Sequence, residues 1–173
     1  VIERPASVVK EMVENSIDAG ATSITVEIKN GGISFIRITD NGKGIAKDDT
    51  EIAFERHATS KIRQASDIET IHSMGFRGEA LASIAAVANV ELITKTANDE
   101  IGTRLVVEAG KVLEHEEIGC KTGTSITVRN LFFNTPVRYK FLKKDFTESG
   151  YIEDVVTRIA LVHPEISIKL INT

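Results

Sequence analysis

The sequence predicts an α+β domain built on a mixed, largely antiparallel sheet. Segments with the 3.6-residue period of a helix and segments with the two-residue period of a strand both occur. Their order is helix, hairpin, a long irregular stretch, helix, four strands, further helix and a final strand. This grouping of strands differs from the strand–helix alternation of a doubly wound fold, in which each parallel pair needs a crossover.

The bulk composition is that of an ordinary folded domain. Of the 173 residues, 42% are hydrophobic and 27% are charged, and the formal net charge is −4. A chain of this length can bury a sizeable core, and its acidic balance gives no general case for nucleic-acid binding beyond a local basic patch. Cys120 is the only cysteine, which rules out an intrachain disulfide. We expect a cytoplasmic protein, or a nuclear one in a eukaryote, with no membrane segment.

The first predicted helix runs from Arg4 to Gly20, with Pro5 in its first turn and the glycine as its terminator. One face is apolar and should pack on the core. The opposite face has an oxygen-rich stripe at the i, i+3, i+4, i+7 spacing, namely Glu11, Glu14, Asn15 and Asp18. No Lys or Arg lies inside the stripe, so the face suits a hard cation or an activated water, although a solvated surface is the commoner meaning.

A β-hairpin and a glycine loop follow this helix. Ser23 to Lys29 alternates apolar and polar residues, Asn30-Gly31-Gly32 is a strong turn signal, and Ile33 to Thr39 supplies the returning strand. This strand leads into the loop Asp40-Asn41-Gly42-Lys43-Gly44, which sets a carboxylate beside backbone that can approach a ligand closely. A short helix is expected from Ala46 to Ala53.

The stretch from Arg56 to Gly78 has no clear period. Its first part, Arg56 to Lys61, is polar and basic, and its last part, Gly75-Phe76-Arg77-Gly78, stands before a helix from Glu79 to Val87. Connections of this length are often lids or binding loops. The free amides at such a helix start can hold an anion, so we expect a phosphate contact here.

The second half of the chain reads mainly as strands. Four are expected: Val90 to Thr96, Gly102 to Glu108, Lys111 to Glu116 and Thr124 to Asn130. Ala109-Gly110 is a tight turn between two of them, and Gly123-Thr124 opens the last with a hydroxyl beside a glycine. The remaining elements are a helix from Pro136 to Lys143, an amphipathic helix from Glu148 to Val162, and a strand from Ile166 to Ile171.

Familiar nucleotide and metal signatures are absent from the sequence. Neither Gly42-Lys43 nor Gly110-Lys111 has the upstream glycine and following hydroxyl residue of a P-loop. The histidines show no zinc-ligand spacing with each other or with Cys120. A nucleotide would therefore have to bind by another geometry.

A local basic cluster lies near the predicted helix at Pro136. Aromatic residues are interleaved with it, in the order Arg138, Tyr139, Lys140, Phe141, Lys143 and Lys144. The cluster is interpreted first as a solvated helix face and second as a contact for a phosphate backbone.

Four of these features, taken in order, resemble the GHKL ATPase superfamily. They are the Glu/Asn helix face, Asp-x-Gly-x-Gly, Gly-x-x-Gly before a helix, and Gly-Thr. Five longer motifs resemble the MutL DNA mismatch-repair family, namely Arg4 to Glu11, Val13 to Gly20, Arg56 to Ile62, Gly75 to Leu81 and Leu131 to Phe141. The resemblance implies a Bergerat-type two-layer sandwich with helices on one face of the sheet. It also implies ATP binding and, in the intact protein, Mg²⁺-dependent ATP hydrolysis.

The same resemblance assigns roles to individual residues. Glu11 matches the general base that activates the attacking water, and Asn15 matches the Mg²⁺ ligand. Asp40 matches the carboxylate that accepts a hydrogen bond from the adenine amino group, which would select adenine over guanine. Gly44 matches a close backbone approach to the base, and Thr124 matches a supporting polar contact to the Asp40–adenine cluster.

The lid that would wrap the phosphates is matched by Thr59, Lys61, Gly75, Phe76, Arg77 and Gly78. Glu14 and Asp18 belong to the motif from Val13 to Gly20, as helix-face residues and not as catalytic ones. Val137 stands where the family usually has Ala, a change that we expect to affect packing only.

The resemblance also implies a domain organisation and partners. Residues 1–163 would be an ATP-binding subdomain without its N-terminal segment, and residues 164–173 the truncated start of a second subdomain. Because that second subdomain supplies a lysine to the γ-phosphate in the family, we expect hydrolysis to need the longer protein. Expected partners are DNA, a MutS-type mismatch sensor, a downstream nuclease or helicase, and a second copy on ATP binding.

Two rival functions remain open at this point. Another GHKL enzyme, such as a type II topoisomerase subunit or a histidine kinase, would share the glycine loops but not the motifs at Arg56 to Ile62 and Leu131 to Phe141. A non-hydrolysing nucleotide sensor or dimerisation module would have no need of a base at Glu11.

Overall fold

The computed structural model describes residues 2–55 and 79–173. In this part of the chain seven strands form one sheet: β1 Ser23–Lys29, β2 Phe35–Asp40, β3 Asn89–Lys95, β4 Gly102–Glu108, β5 Lys111–Ile118, β6 Gly123–Arg129 and β7 Ser167–Asn172. Its α-helices are α1 Pro5–Asp18, α2 Ala80–Ala86, α3 Pro136–Phe141 and α4 Asp145–Val162.

The strands lie in the order β5-β4-β3-β6-β2-β1-β7. Every neighbouring pair is antiparallel except β1 and β7, which are parallel. The α+β class and the mixed, largely antiparallel sheet are therefore confirmed. Alternate residues of β1, β2 and β3 are buried in one core with α1, α2 and α4, whereas β5 at the sheet edge has no buried residue. The opposite face is polar and carries ion pairs, among them Arg37 with Glu27 and Arg104 with Glu91.

Helix α1 forms where the sequence predicts it, and its ends follow from local chemistry. Pro5 occupies the first turn, where its missing N–H costs no hydrogen bond. The helix ends at Asp18, and Gly20 then adopts a φ of 78°, a left-handed conformation that favours glycine. Val9 and Met12 on the apolar face are buried. The helix is thus held on the sheet by one face, and the stripe with Glu11 lies on the other side.

The turn between β1 and β2 is wider than the predicted hairpin turn. At Asn30–Gly32 the chain forms a turn closed by a 3.1 Å hydrogen bond from the Ile33 amide to the Asn30 carbonyl, and β2 begins at Phe35 and not at Ile33. All three residues of the turn have positive φ. A side chain on Gly31 would collide with the backbone of Asp145, so the turn packs against the start of α4. This tertiary contact explains the irregular turn.

The prediction of a short helix from Ala46 to Ala53 is wrong. The segment forms two 3₁₀ turns, Lys47–Asp49 and Ile52–Phe54. The Thr50 hydroxyl donates a 2.9 Å hydrogen bond to the Lys47 carbonyl and closes the first turn locally. Such side-chain bonds compete with a continuous helix.

Helix α4 begins at Asp145, three residues before the predicted start. Asp145 and Glu148 lie in its first turn, where negative charge is favoured by the helix dipole. Strand β7 then pairs along β1, from Ser23 opposite Ser167 to Ile28 opposite Asn172. The predicted subdomain boundary between residues 163 and 164 stays a prediction, and in the structure this last strand is part of the common sheet.

None of the helices in residues 2–55 and 79–173 is long and apolar enough to cross a membrane.

Candidate functional site

A small cleft lies between α1, the end of β2 and the start of β6. Apolar side chains line it, including those of Met12, Leu81 and Ile126. Its polar lining is Asn15, Ser16, Asp40 and Thr124. Three of the sequence-predicted site residues, Asn15, Asp40 and Thr124, are thus brought together around one cleft.

Asp40 is the charged group of this cleft. The Ser16 hydroxyl donates to its Oδ2 at 2.6 Å, and the Gly42 main-chain N–H donates to its Oδ1 at 2.8 Å. Burial raises the pKa of this carboxyl, and the hydrogen bonds from Ser16 and from the amides of Gly42 and Thr124 oppose that rise. Asp40 is therefore a fixed, half-buried acceptor.

The position of Asp40 follows from strand pairing. It is the last residue of β2, and in the sheet it lies opposite Thr124 on one side and Ile24 on the other. After it the chain turns, and the Lys43 amide donates a 2.9 Å hydrogen bond to the Ala19 carbonyl at the end of α1. The loop after Asp40 is thereby fastened to the helix that forms the other wall of the cleft.

Ser16 is a site residue that the sequence reasoning missed. Its position on the helix placed it on the apolar face with Met12 and Val13, and it is indeed buried. The available signal was its hydroxyl, since a polar side chain on a buried face needs a partner. That partner is Asp40.

Asn15 has an oxygen without a partner. Its Oδ1 atom is buried and accepts no hydrogen bond from the part of the chain that the structure describes. A buried carbonyl oxygen normally has a donor or a cation, so this atom is available to one. Amide oxygens are suitable ligands for hard divalent cations, and Asn15 fits a Mg²⁺ ligand in this respect.

Glu11 lies one turn before Asn15 on the same side of α1. Its side chain is half-buried, and no ion pair or hydrogen bond joins it to the residues described here. It does not line the cleft around Asp40. Glu11 therefore stands beside the Asn15 end of the site and away from the Asp40 end.

The acidic stripe is not unpaired as the sequence suggested. Lys10, outside the stripe, forms an i, i+4 ion pair with Glu14 at 2.9 Å. Both Glu14 and Asp18 have further interactions, so neither is a free carboxylate. This difference separates Glu14 from Glu11 and agrees with the helix-face role expected of Glu14.

Gly44 has a structural reason to be glycine. Its φ is 76°, and a methyl group built on it would overlap the main-chain carbonyl of Lys95 at the end of β3. The loop therefore packs directly on the β3 backbone. This contact adds to the close approach to a base that the resemblance implies, which stays a prediction.

Thr124 is joined to a residue that the sequence reasoning did not single out. Its hydroxyl lies 2.9 Å from that of Thr94, which is buried on β3. Thr94 also accepts a 2.9 Å hydrogen bond from the Ile45 amide and donates one of 2.9 Å to the Gly123 carbonyl. The sequence signal was a threonine at the inward position that follows Val90 and Leu92 on the same strand face.

The predicted lid residues lie outside the described residues. These are Thr59, Lys61, Gly75, Phe76, Arg77 and Gly78.

The basic cluster is placed on and after α3. The interleaved aromatics are exposed, with 54% of Tyr139 and 75% of Phe141 accessible. Arg138 donates a 3.3 Å hydrogen bond to the Ile2 carbonyl, so it also fixes the start of the chain. The cluster is separate from the cleft, and its contact with a phosphate backbone stays a prediction.

Comparison with known families places residues 2–132 in a family model described as histidine kinase-, DNA gyrase B-, and HSP90-like ATPase. The chain is 63% identical over 172 residues to the DNA mismatch repair protein MutL of Agathobacter rectalis, covering 99% of this chain and 26% of that protein. It is 59% identical to MutL of Caldanaerobacter subterraneus, covering 29% of that protein. The chain thus spans between a quarter and a third of these relatives.

Solved structures give a similar picture. The Aquifex aeolicus MutL ATPase domain complexed with ADP matches with a TM-score of 0.81 and 38% identity, covering 99% of this chain and 61% of that chain. The N-terminal domain of a DNA repair protein matches with a TM-score of 0.82 and 30% identity, covering 49% of that chain.

Proposed function

The chain belongs to the histidine kinase-, DNA gyrase B- and HSP90-like ATPase family, and we propose that it is the ATP-binding and ATP-hydrolysing region of a MutL-like DNA mismatch-repair protein. Its resemblance to MutL proteins, first drawn from sequence motifs, extends over nearly the whole chain. The observation that supports the nucleotide site most directly is the half-buried Asp40 carboxylate, held in the cleft beside α1.

We propose that Asp40 recognises adenine. A carboxylate accepts hydrogen bonds and donates none, so it pairs with the amino group of adenine. Guanine presents a carbonyl oxygen at the corresponding place, and two acceptors facing each other in a buried cleft leave both unsatisfied. The bonds from Ser16 and Gly42 support this role because they fix the carboxylate before any ligand arrives.

The phosphate end of the nucleotide is assigned to the Asn15 end of α1. Asn15 would hold Mg²⁺ through its unpartnered Oδ1, and the ion would neutralise charge on the phosphate oxygens. Glu11, one turn away, would orient the attacking water and take its proton. Its lack of a partner among residues 2–55 and 79–173 leaves its carboxylate available for that task.

We further propose that Thr59, Lys61, Gly75, Phe76, Arg77 and Gly78 wrap the phosphates. ATP binding would order this lid and favour association of two copies, and hydrolysis would reset the switch. In the whole protein this cycle would couple a MutS-type mismatch sensor on DNA to a downstream nuclease or helicase in the cytoplasm.

The proposed function is tested by measuring phosphate release and nucleotide binding together, with Mg²⁺-ATP and the intact protein. The wild type is expected to bind and hydrolyse ATP. Glu11→Ala should keep its ATP affinity while turnover falls by roughly 10²- to 10⁴-fold, because only the proton transfer is removed. Binding without any turnover in the wild type would favour a nucleotide sensor, and unchanged turnover in the variant would exclude Glu11 as the base.

A further inference from the structure

We propose that Thr94 is a positioning residue that sets the base specificity of the nucleotide site, through the hydroxyl of Thr124. This inference rests on the proposed function, since it concerns the same cleft. Thr94 does not line that cleft. It acts through Ile45 and Thr124, which line the cleft and are hydrogen-bonded to Thr94.

Thr94 joins three segments of the fold at one atom. It lies on β3 and is 1% exposed. Its Oγ1 is 2.9 Å from the Ile45 amide in the loop after β2, 2.9 Å from the Gly123 carbonyl, and 2.9 Å from the Thr124 hydroxyl at the start of β6. A single hydroxyl therefore holds the loop and both residues that open β6.

Counting protons fixes the direction of these bonds. A hydroxyl has one proton to donate and two lone pairs to accept with. The Ile45 amide can only donate, and the Gly123 carbonyl can only accept, so the Thr94 proton goes to Gly123. The remaining lone pair of Thr94 accepts the proton of Thr124. This arrangement satisfies all four groups at once.

For the ligand, the consequence is that the Thr124 hydroxyl acts as an acceptor and not as a donor. Because its proton is used by Thr94, its oxygen presents lone pairs alone to the cleft that it lines. Asp40, directly opposite Thr124 in the sheet, is also an acceptor. The cleft thus has two neighbouring acceptors, which suit a donor such as the adenine amino group or a water bound beside it, and oppose the guanine carbonyl.

Removing the Thr94 hydroxyl should release the proton of the Thr124 hydroxyl from its fixed direction. In Thr94→Val the Thr124 proton has lost its acceptor and can rotate toward the cleft, where it can donate to a guanine carbonyl. The Ile45 amide is left without a partner at the same time. Valine is β-branched like threonine, so the side chain keeps its shape while the hydroxyl, and with it the polarity, is lost.

The chain offers a matched control at Thr103. It lies on β4 directly opposite Thr94, and it is buried to a similar degree, 3% against 1% exposed. Its hydroxyl makes no hydrogen bond to the residues that the structure describes, and it does not line the cleft. Thr103→Val therefore reproduces the loss of a buried hydroxyl on this face without touching Ile45, Gly123 or Thr124.

The test compares affinities for Mg²⁺-ATP and Mg²⁺-GTP in the wild type, Thr94→Val, Thr94→Ser and Thr103→Val. The ATP preference should shrink about tenfold in Thr94→Val, which corresponds to the loss of one hydrogen bond. It should be restored in Thr94→Ser, which returns the hydroxyl, and be unchanged in Thr103→Val. Altered affinity with an unaltered ATP-to-GTP ratio would overturn the specificity role.

A second measurement needs no nucleotide. The Ile45 amide should exchange its hydrogen about tenfold faster in Thr94→Val than in Thr103→Val, because its acceptor is gone. If the wild type bound no nucleotide, the proposed function would fail while this result still decided whether Thr94 holds the loop. Equal exchange in the two variants would overturn the positioning role itself.

Discussion

The Ser16 hydroxyl donates a 2.6 Å hydrogen bond to Oδ2 of Asp40 and so connects the first helix to the end of the second strand. The same helix carries Asn15, which lines the same cleft, and Glu11, which lies one turn before Asn15. The proposed adenine end and the proposed phosphate end of the site are therefore built on one rigid element. A displacement of α1 would alter both ends together.

Ser16→Ala should destabilise the fold by about 1 kcal/mol at neutral pH, because the half-buried Asp40 carboxylate loses a donor. The pKa of Asp40, already raised by burial, should rise further, since the Ser16 bond favours the charged form. The loss should therefore shrink as the pH falls and Asp40 becomes protonated. Urea unfolding at about pH 7.5 and about pH 5 measures both effects.

Ser149→Ala is the control for this change. Ser149 is a helical serine, 8% exposed, whose hydroxyl has no hydrogen-bond partner in the described part of the chain. Ser149→Ala should lower the free energy of unfolding by less than Ser16→Ala, and this loss should not depend on pH. Equal, pH-independent losses for the two variants would show that the Ser16–Asp40 bond has no special role.

Asp40 should also give stability a pH dependence of definite sign. Burial holds its folded-state pKa above the ordinary value of 3.8, so the folded state binds a proton more tightly than the unfolded state. Its stabilising contribution is present below that ordinary value and is lost as the pH rises through the raised pKa. Relative to Asp40→Asn, which does not titrate, the wild type should lose stability over this window. A pH-independent difference between the two proteins would contradict the raised pKa of Asp40.

Asn15→Ala should change the metal dependence of binding more than it changes the fold. Its Oδ1 accepts no hydrogen bond from the described residues, so deleting that oxygen leaves no donor unpaired there, and alanine favours a helix. The Mg²⁺ concentration needed for half-maximal ATP binding should rise about tenfold, as expected for one lost ligand. Titrating Mg²⁺ at fixed ATP with a fluorescent analogue measures this shift.

Asn41→Ala provides the opposite pattern. Its Oδ1 accepts hydrogen bonds from the amides of Thr22 and Ser23 at 2.8 and 3.0 Å. The change should lower the free energy of unfolding and leave the Mg²⁺ requirement as it is. A metal requirement that moved equally in both asparagine variants would argue against Asn15 as the ligand.

Gly44→Ala should be among the more destabilising changes in the loop after β2. Gly44 and Gly20 have nearly the same left-handed φ, 76° and 78°, so each alanine adds similar backbone strain of about 1–2 kcal/mol. Only at Gly44 would the methyl overlap a carbonyl, that of Lys95, while Gly20 faces open space. Denaturant unfolding of the two variants isolates the contact, and equal losses would refute it.

Local sequence patterns were enough to predict most of the fold. The periodicities predicted α1 and each of the seven strands to within a few residues. An apolar buried face defines α1 and the central strands, whereas the edge strand β5 is exposed along nearly its whole length. The segment from Ala46 to Ala53 was wrongly predicted as a helix, because its turns are closed by local bonds such as that from Thr50. The widened turn at Asn30–Gly32 depends on a contact with α4, more than a hundred residues later, which no local pattern contains.

The candidate site was only partly visible in the sequence. Asp40 and Thr124 could be identified because they sit in glycine motifs that resemble a known family. Ser16 and Thr94 could not, since each occupies a position where the period predicts an apolar core residue. Their importance comes from the side chain that each one meets across the fold, at Asp40 and Thr124. Partners of this kind are fixed by the packing of elements and not by spacing along the chain.

The central claim is that this cleft binds adenine nucleotides through Asp40, and calorimetric titration of the wild type and Asp40→Asn with Mg²⁺-ATP and Mg²⁺-GTP tests it most directly. The wild type should bind ATP at least about tenfold more tightly than GTP, and Asp40→Asn should lose most of the ATP affinity and with it the preference. Equal binding of GTP and ATP by the wild type, or an undiminished preference in Asp40→Asn, would contradict it.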